Sequence, residues 1–294
     1  MAINKEIVLD PSVIPPLDES LLTLTDQEKA FLHSAITEDD TELRRRILEV
    51  QKLAYAKHAY PCIRAFHFVN LMMSANPVYP KVLEAGRTGQ TIFLDLGCCM
   101  GTDVRKLVAD GYPARNVIGC DLRQEFIDLG YELYKDKNTS QIHFLTSDIF
   151  DVPVSSPSEP EAIDLDKVIK LTQLTGQIDY FYAGALFHLF DESTQYELAK
   201  RVATLVKRKP GTIIFGRHQG LEEAGYIDDH LGRDRYGHSP VSWPILWKQV
   251  FTELESPEFA EKIVVDAFLN EGFAKHVVNT RQRARMLVWS VRIT

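Results

Sequence analysis

The stretch Asp95-Leu96-Gly97-Cys98-Cys99-Met100-Gly101 sets an acid two residues before the first of two glycines, with three residues between the glycines. It follows a short apolar run, Thr91 to Leu96, and precedes Val104, Leu107 and Val108 at helical spacing. The stretch is therefore a strand-to-helix turn. Glycine at such a turn permits positive φ and lets a ligand approach the backbone closely. In dinucleotide-binding folds the corresponding turn reads G-x-G-x-x-G and holds a pyrophosphate at the helix N-terminus. Here the spacing differs, and the carboxylate of Asp95 would repel a pyrophosphate. The same carboxylate suits a cationic amino-acid group.

Two further acids stand at comparable places. Asp121 ends the apolar run Val117-Ile118-Gly119-Cys120, where an acid can accept both hydroxyls of a ribose. Asp148 and Ile149 follow the run from Ile142 to Thr146. There a carboxylate can take an adenine amino group while Ile149 covers the ring. An amino-acid cation, a ribose and an adenine together describe S-adenosyl-L-methionine better than a nicotinamide dinucleotide. The candidate cofactor contacts are Asp95, Gly97, Cys98, Gly101, Asp121, Leu122, Asp148 and Ile149. Asp179 opens a fourth run, Ile178 to Gly184, and is expected on the same edge. The competing reading of any one of these acids is a helix cap or a solvated charge.

The elements that must position these residues alternate. Strands are expected at 91–96, 117–121, 142–146, 178–184 and 212–216, with helices after most of them. That alternation predicts a parallel sheet with helices on both faces and right-handed crossovers. Residues 151–176, with a Pro/Ser segment from Pro153 to Pro160, read as an irregular crossover. After a helix from Trp243 to Leu254, strands at 262–268 and 286–293 have only a polar stretch between them, which predicts an antiparallel pair. Before the first strand the chain reads as helical. The first 24 residues suggest an extended arm, and Thr25-Asp26-Gln27-Glu28 is a capping box opening a helix to about Ile36. A second helix follows Asp39 and carries Leu43, Ile47, Val50 and Leu53. Pro61 can open a third through Phe66, Val69, Met72 and Met73. The expected division is 1–88, an arm and helical lid section, and 89–294, the cofactor-binding domain.

Composition excludes several classes. A formal net charge of -8 is ill suited to nucleic acid or anionic lipid. The run Arg44-Arg45-Arg46 lies in an amphipathic helical pattern and reads as a solvated face. No apolar stretch reaches the roughly 18 residues of a membrane span. The N-terminus has no signal-peptide core, so the cytoplasm is the expected location. Cys62, Cys98, Cys99 and Cys120 form neither a disulfide framework nor a zinc pattern. His58, His67, His188, His218, His230 and His238 show no metal-ligand spacing, and Asp228-Asp229-His230 reads as a solvated loop. No metal is expected.

Seven strands with a final antiparallel pair, carrying this glycine turn and these acids, resemble the class I S-adenosylmethionine-dependent methyltransferases. The resemblance implies an α/β, doubly wound, Rossmann-like, mostly parallel sheet. Three more segments narrow it: Tyr60-Pro61-Cys62-Ile63-Arg64-Ala65-Phe66, Ala185-Leu186-Phe187-His188-Leu189-Phe190, and Ile213-Ile214-Phe215-Gly216-Arg217 with His238-Ser239-Pro240-Val241-Ser242-Trp243. These are similar to methyltransferases of fungal secondary metabolism, including those that esterify polyketide–terpenoid acids.

Such an enzyme aligns a nucleophile with a sulfonium methyl and excludes water, and positioning supplies most of the rate. A carboxylate substrate is already anionic at neutral pH, whereas a phenol benefits from a base. His188, after the fourth strand, is the candidate base; the alternative is a packed, orienting histidine. Arg64 and Arg217 can each grip a carboxylate in paired hydrogen bonds, Arg64 that of the cofactor and Arg217 that of the substrate. Tyr60, His238 and Trp243 are expected to touch substrate. The expected activity is O-methylation of a small, largely apolar metabolite, with carboxyl esters ahead of phenol ethers. N-methylation of an amine and an inactive cofactor-binding protein are the alternatives. The partner is a small molecule; a homodimer stays open.

Overall fold

The computed structural model describes residues 14–157, 162–227, 234–270 and 285–294. Helix α1 (Asp26–Ala35) opens on the expected capping box: Glu28 N–H donates to Thr25 Oγ1 at 3.2 Å, and Thr25 N–H donates to Glu28 Oε2 at 2.8 Å. Helix α2 (Asp40–Lys57) is capped by Asp39 and buries Leu43, Ile47, Val50 and Ala54 along one face. Arg45 and Arg46 pair with Glu42 on its outer face, so the arginine run is the solvated face expected. Helix α3 (Pro61–Arg64) is shorter than its apolar spacing predicts. Phe66 takes the left-handed conformation, φ 59°, and breaks the helix; only a 3-10 turn, His67–Val69, follows. The expected continuation through Met73 is therefore wrong. The chain turns instead so that the backbone at 71–73 meets two acids, Glu28 and Asp103. Helix α4 (Tyr79–Gly86) completes the section, with the ring of Tyr112 seated where a side chain at Gly86 would stand.

The remainder alternates as expected: β1 (Phe93–Leu96), α5 (Thr102–Ala109), β2 (Val117–Asp121), α6 (Gln124–Tyr134), β3 (His143–Thr146), β4 (Tyr180–Gly184), α7 (Glu192–Leu205) and β5 (Ile213–Gly220). A small hairpin, β6 (Gly225–Ile227) and β7 (Arg235–Gly237), has no counterpart in the sequence reading. Then come α8 (Ser242–Leu254), α9 (Pro257–Ala260), β8 (Ile263–Asn270) and β9 (Arg285–Ile293). One sheet of seven strands runs in the order β3-β2-β1-β4-β5-β9-β8. Its first five strands are parallel, and β9 is antiparallel to both neighbours. The order reverses between β1 and β2 on one side and β4 on the other, and at such a switch point ligands bind beyond the strand C-termini.

Side chains alternate across the sheet with period two. On one face Phe93, Tyr180, Tyr182 and Phe215 pack with Met73, Val82 and Val104. On the other Leu94, Phe181, Ala183 and Ile214 pack with Leu198, Trp243, Trp247 and Trp289. The N-terminal section has its own cluster, in which Ile47, Val50, Ile63 and Phe66 lie against Met100 of the glycine turn and Phe126 and Leu129 of α6. No helix among the described residues is long and apolar enough to cross a membrane.

Glu28 ties this section down. It is buried, closes the capping box, and accepts from Leu71 N–H at 3.1 Å. Glu28→Ala removes the cap and leaves the Leu71 amide buried without an acceptor. The expected loss is about 2–4 kcal/mol of unfolding free energy, read by denaturant titration. A loss under about 0.5 kcal/mol would show that water replaces the carboxylate.

Candidate active site

The glycine turn is built by the strands on either side of it. The amides of Gly97 and Cys98 both donate to the Cys120 carbonyl, at 2.8 and 3.0 Å, which folds the turn across the end of β2. Gly97 has φ 81°, and a β-carbon there would meet nothing nearer than Leu186, 4.0 Å away. The backbone thus faces open space at the switch point. Gly101, φ 72°, serves packing instead: a β-carbon would lie 2.6 Å from Phe144 and 2.7 Å from Arg105. Arg105 is buried, donates to the carbonyls of Met100 (2.6 Å) and Gly101 (3.2 Å), and grips Asp136 through two nitrogens. It is the internal brace of the turn. Helix α6 comes close from the other side, because Gly130 has no side chain to strike the Met100 carbonyl.

Asp95 projects from β1 onto the Tyr182 face of the sheet, beside Tyr182 of β4. It is 3% exposed and has no hydrogen-bond partner among the described residues. Burial, then the charges of Asp103 and Asp121, push its carboxyl well above the usual range. Asp121 is nearly as buried. Its oxygens accept from Cys99 N–H (2.8 Å) and Arg123 N–H (2.9 Å), and burial raises it as well. Leu122, next to it, leaves 42% of its surface exposed. Asp148 accepts from Phe150 N–H at 2.9 Å, and Ile149 is buried beside it. Asp95, Gly97, Asp121 and Asp148 thus line consecutive strand ends of one edge. Asp179 does not join them. It precedes β4 at the opposite edge, where it binds Ile92 N–H and both Lys207 and Lys209. An acid that opens a strand of a parallel sheet lies at the edge opposite the strand C-termini, so the expectation of a shared edge is wrong.

Asp103, in the first turn of α5, is the acid that sequence reasoning missed. It accepts from the amides of Met72 and Met73, both at 3.0 Å, and so hangs the N-terminal section over the turn. Burial raises it to about 6, while the Met73 amide and Arg217 pull the other way. In sequence it reads as an ordinary charge at a helix start; only the fold brings residues 72 and 73 to it.

Arg217 lies on β5 level with Gly184, the last residue of β4, on the same face as Asp95 and Tyr182. It is buried, and its charge acts on both Asp103 and Tyr182. Arg217 lines a small cleft with Met72, Asn76, Tyr182 and Val288. Arg64 donates through Nε to the Pro16 carbonyl at 2.7 Å, while Tyr55 holds Pro15. Its guanidinium therefore anchors the arm as well as facing outward. Tyr60 stacks on His58 and meets Phe126 edge-on, beside α6. His188 is half-buried in the turn Phe187–Leu189, which follows Ala185 in the left-handed conformation (φ 58°). Trp243 is fully buried in the aromatic cluster with Phe187, Trp247 and Trp289, a core position rather than an open wall. His238 packs on it and is 2% exposed. The Asp228-Asp229-His230 segment lies outside the described residues.

These features fit S-adenosylmethionine: a buried carboxylate with no partner among the described residues, an open backbone cradle at Gly97, and an acid with an exposed apolar neighbour at the next strand. Comparison with known proteins agrees. Residues 17–69 match the meroterpenoid methyltransferase N-terminal domain, and residues 93–165 match a methyltransferase domain. The O-methyltransferase phiE of a fungal species is 33% identical over 261 residues, 83% of this chain and 82% of that protein. The Asnovolin E/Chermesin D methyltransferase nvfJ of Aspergillus novofumigatus is 34% identical over 210 residues, 71% of this chain and 70% of that one. Among solved structures, the didemethyltoxoflavin N-methyltransferase of Burkholderia thailandensis aligns over 92% of each chain at 11% identity, with a TM-score of 0.47. The fold is that of a class I S-adenosylmethionine-dependent methyltransferase. Within that class the chain belongs to the family of fungal secondary-metabolite methyltransferases that carries the meroterpenoid N-terminal domain.

Asp103 gives a pH signature. A carboxyl raised by folding contributes stability that is present below its ordinary value of 3.8 and lost as pH climbs to about 6. Asp103→Asn keeps an oxygen for Met72 and Met73 but cannot ionise. The variant should therefore gain on the wild type as pH rises through that window and hold its lead above it, by on the order of 2 kcal/mol. Melting temperatures across the window check this, and a pH-independent difference would contradict it.

Proposed function

We propose that this enzyme transfers the cofactor's methyl group to an oxygen of a small, largely apolar metabolite, with a carboxylate preferred over a phenol. The bound cofactor would supply an electrophilic methyl on a sulfonium centre. Asp95 is the observation that carries the reading. A buried carboxylate with two acidic neighbours, and no partner among the described residues, is costly unless a cation arrives. It would hold the amino group of the methionine moiety, Asp121 the ribose hydroxyls, and Asp148 with Ile149 and Leu122 the adenine. Cys98 and Gly101 keep the turn in shape. Arg64 would take the methionine carboxylate. The helical section 1–88 would serve as the cover that keeps water out.

The preference for a carboxylate rests on Arg217. A buried guanidinium on β5, level with the end of β4, can take one oxygen of the substrate's carboxylate and leave the other to attack. The methyl–sulfur bond breaks as the oxygen–methyl bond forms, and no proton has to move. The relatives support this chemical class: one is named an O-methyltransferase and another is named for asnovolin E and chermesin D. His188 would orient the substrate when it is an acid and accept the proton when it is a phenol. Tyr60 would close the far end of the pocket.

Titration calorimetry with S-adenosylhomocysteine, and separately with NAD and NADP, tests the cofactor assignment; binding of a nicotinamide cofactor instead would overturn it. Asp95→Asn should weaken S-adenosylhomocysteine binding by roughly 1.5–3 kcal/mol while raising the melting temperature of the cofactor-free protein. Unchanged affinity would remove Asp95 from the site. His188→Ala should abolish methylation of phenols and reduce that of carboxylic acids only several-fold. Equal losses on both would leave His188 as a packing residue.

A further inference from the structure

Tyr182 fills none of the roles assigned above, yet it stands between residues that do. In the sheet it pairs with Asp95 of β1 on one side and Phe215 of β5 on the other. It is 2% exposed. Residues two apart in a strand share a face, so Gly184 lies next along the same face. The phenol leans over it: a β-carbon at Gly184 would stand 2.9 Å from the Tyr182 hydroxyl oxygen and 3.0 Å from its Cε1. The hydroxyl therefore points toward the active edge. Gly184 pairs with Arg217, which brings the hydroxyl beside the guanidinium. The hydroxyl is buried, and its proton has no acceptor among the described residues. Arg217 cannot serve, because a guanidinium only donates. Burial, then the charge of Asp103, push the phenol well above its usual range, while Arg217 pulls the other way. Tyr182 is thus a protonated donor at neutral pH and not a base.

Tyr182 and Arg217 line the same cleft, of about 10 Å³, with Met72, Asn76 and Val288 as further walls. That space holds one oxygen-sized group. Asn76 does not compete for it. Its Nδ2 donates to the carbonyls of Gly216 and Trp289, at 3.1 and 3.3 Å, and its Oδ1 accepts from Val78 N–H at 3.1 Å. A buried donor almost always finds an acceptor, in the protein, in water or in a ligand. We infer that the Tyr182 hydroxyl joins Arg217 in holding the carboxylate oxygen of the substrate that is not methylated, and that this second donor makes Tyr182 a determinant of specificity for acids over phenols. This rests on the methyl-transfer reading and on the role given to Arg217 above. A phenol has one oxygen, which must attack; a carboxylate has a second to lodge in the cleft. As the attacking oxygen bonds to the methyl and the methyl–sulfur bond breaks, the lodged oxygen becomes the ester carbonyl and keeps both hydrogen bonds. The tyrosine keeps its proton throughout. Asp95 and Asp103 would oppose an anion here. The cofactor's ammonium group would cover Asp95, and Asp103 is offset by the Met72 and Met73 amides and by Arg217.

Phenylalanine removes the donor and keeps the ring. The full chain, loaded with labelled S-adenosylmethionine, is assayed with naphthoic and geranic acids and with naphthol. Tyr182→Phe should lose at least about tenfold in kcat/KM on the acids, a larger loss than any on naphthol. Its S-adenosylhomocysteine affinity should stay, and its melting temperature should stay or rise, because a buried donor without an acceptor has been removed. Full activity on the acids would leave the cleft to a water molecule and overturn the inference, as would an equal loss on naphthol. A lower melting temperature overturns it by showing that the fold itself satisfies the hydroxyl, and a parallel loss of S-adenosylhomocysteine affinity does so by giving the hydroxyl to the cofactor. If the wild type methylates neither acid, the carboxylate reading of the active site fails. Binding of the same acids to the S-adenosylhomocysteine-loaded wild type and variant then decides the role of Tyr182: weaker binding to the variant supports it, and equal binding, or no binding to either, overturns it.

Discussion

Desolvated negative charge at the end of the parallel strands is the constraint around which this molecule is arranged. Asp95, Asp103 and Asp121 are drawn from two strand ends and one helix start, and each raises the cost of ionising its neighbours or is raised by burial itself. Such a cluster is tolerable only if its members are given donors or a cation. Asp121 receives backbone amides from its own loop and from the glycine turn, and Asp103 receives two from the N-terminal section. Asp95 receives none from the described residues, and on the proposed function a cation from the cofactor would offset that cost.

The same hydrogen bonds explain why the N-terminal section belongs to the site rather than beside it. Glu28 and Asp103 take the amides of residues 71, 72 and 73, and Thr102 with Tyr134 holds the carbonyl of Phe68. The chain between α3 and α4 is therefore fixed by polar contacts to the cofactor domain, not by a helix of its own. Local strain concentrates here as well. Phe66, Cys99 and Ala185, three of the non-glycine residues with positive φ, sit respectively at the break after α3, in the glycine turn and at the exit of β4. Each costs on the order of 1 kcal/mol relative to ordinary backbone and persists because neighbouring contacts enforce it.

Strand β5 separates two environments. Through simple alternation Arg217 joins the charged face with Asp95, Tyr182 and Asp103, while His218 joins the aromatic face with Phe187, Trp243 and Trp289. A cation meets anions on one face, and a neutral histidine packs among tryptophans on the other. The indole of Trp289 selects the tautomer of His218, so an apolar cluster sets the chemistry of a polar atom.

Much of this was legible in the residues themselves. Short apolar runs separated by helical spacing specify the parallel sheet, and the loop-like stretch before the last strand specifies its antiparallel end. The acid and glycines at 95–101 specify a turn that prefers cations to phosphates, because glycine conformation and carboxylate charge are local properties. What the residues could not specify are contacts between segments distant along the chain. Whether an acid lies at the start or the end of a strand decided Asp179, and an apolar spacing at 61–73 looked helical although Phe66 bends the chain toward Glu28 and Asp103. Asp103 looked like a helix-start charge, and Trp243 like a pocket wall, until packing placed one under the N-terminal section and the other in the core. Burial and hydrogen-bond partnership are properties of the folded chain, and they alone distinguish the carboxylate that is satisfied from the one that is waiting.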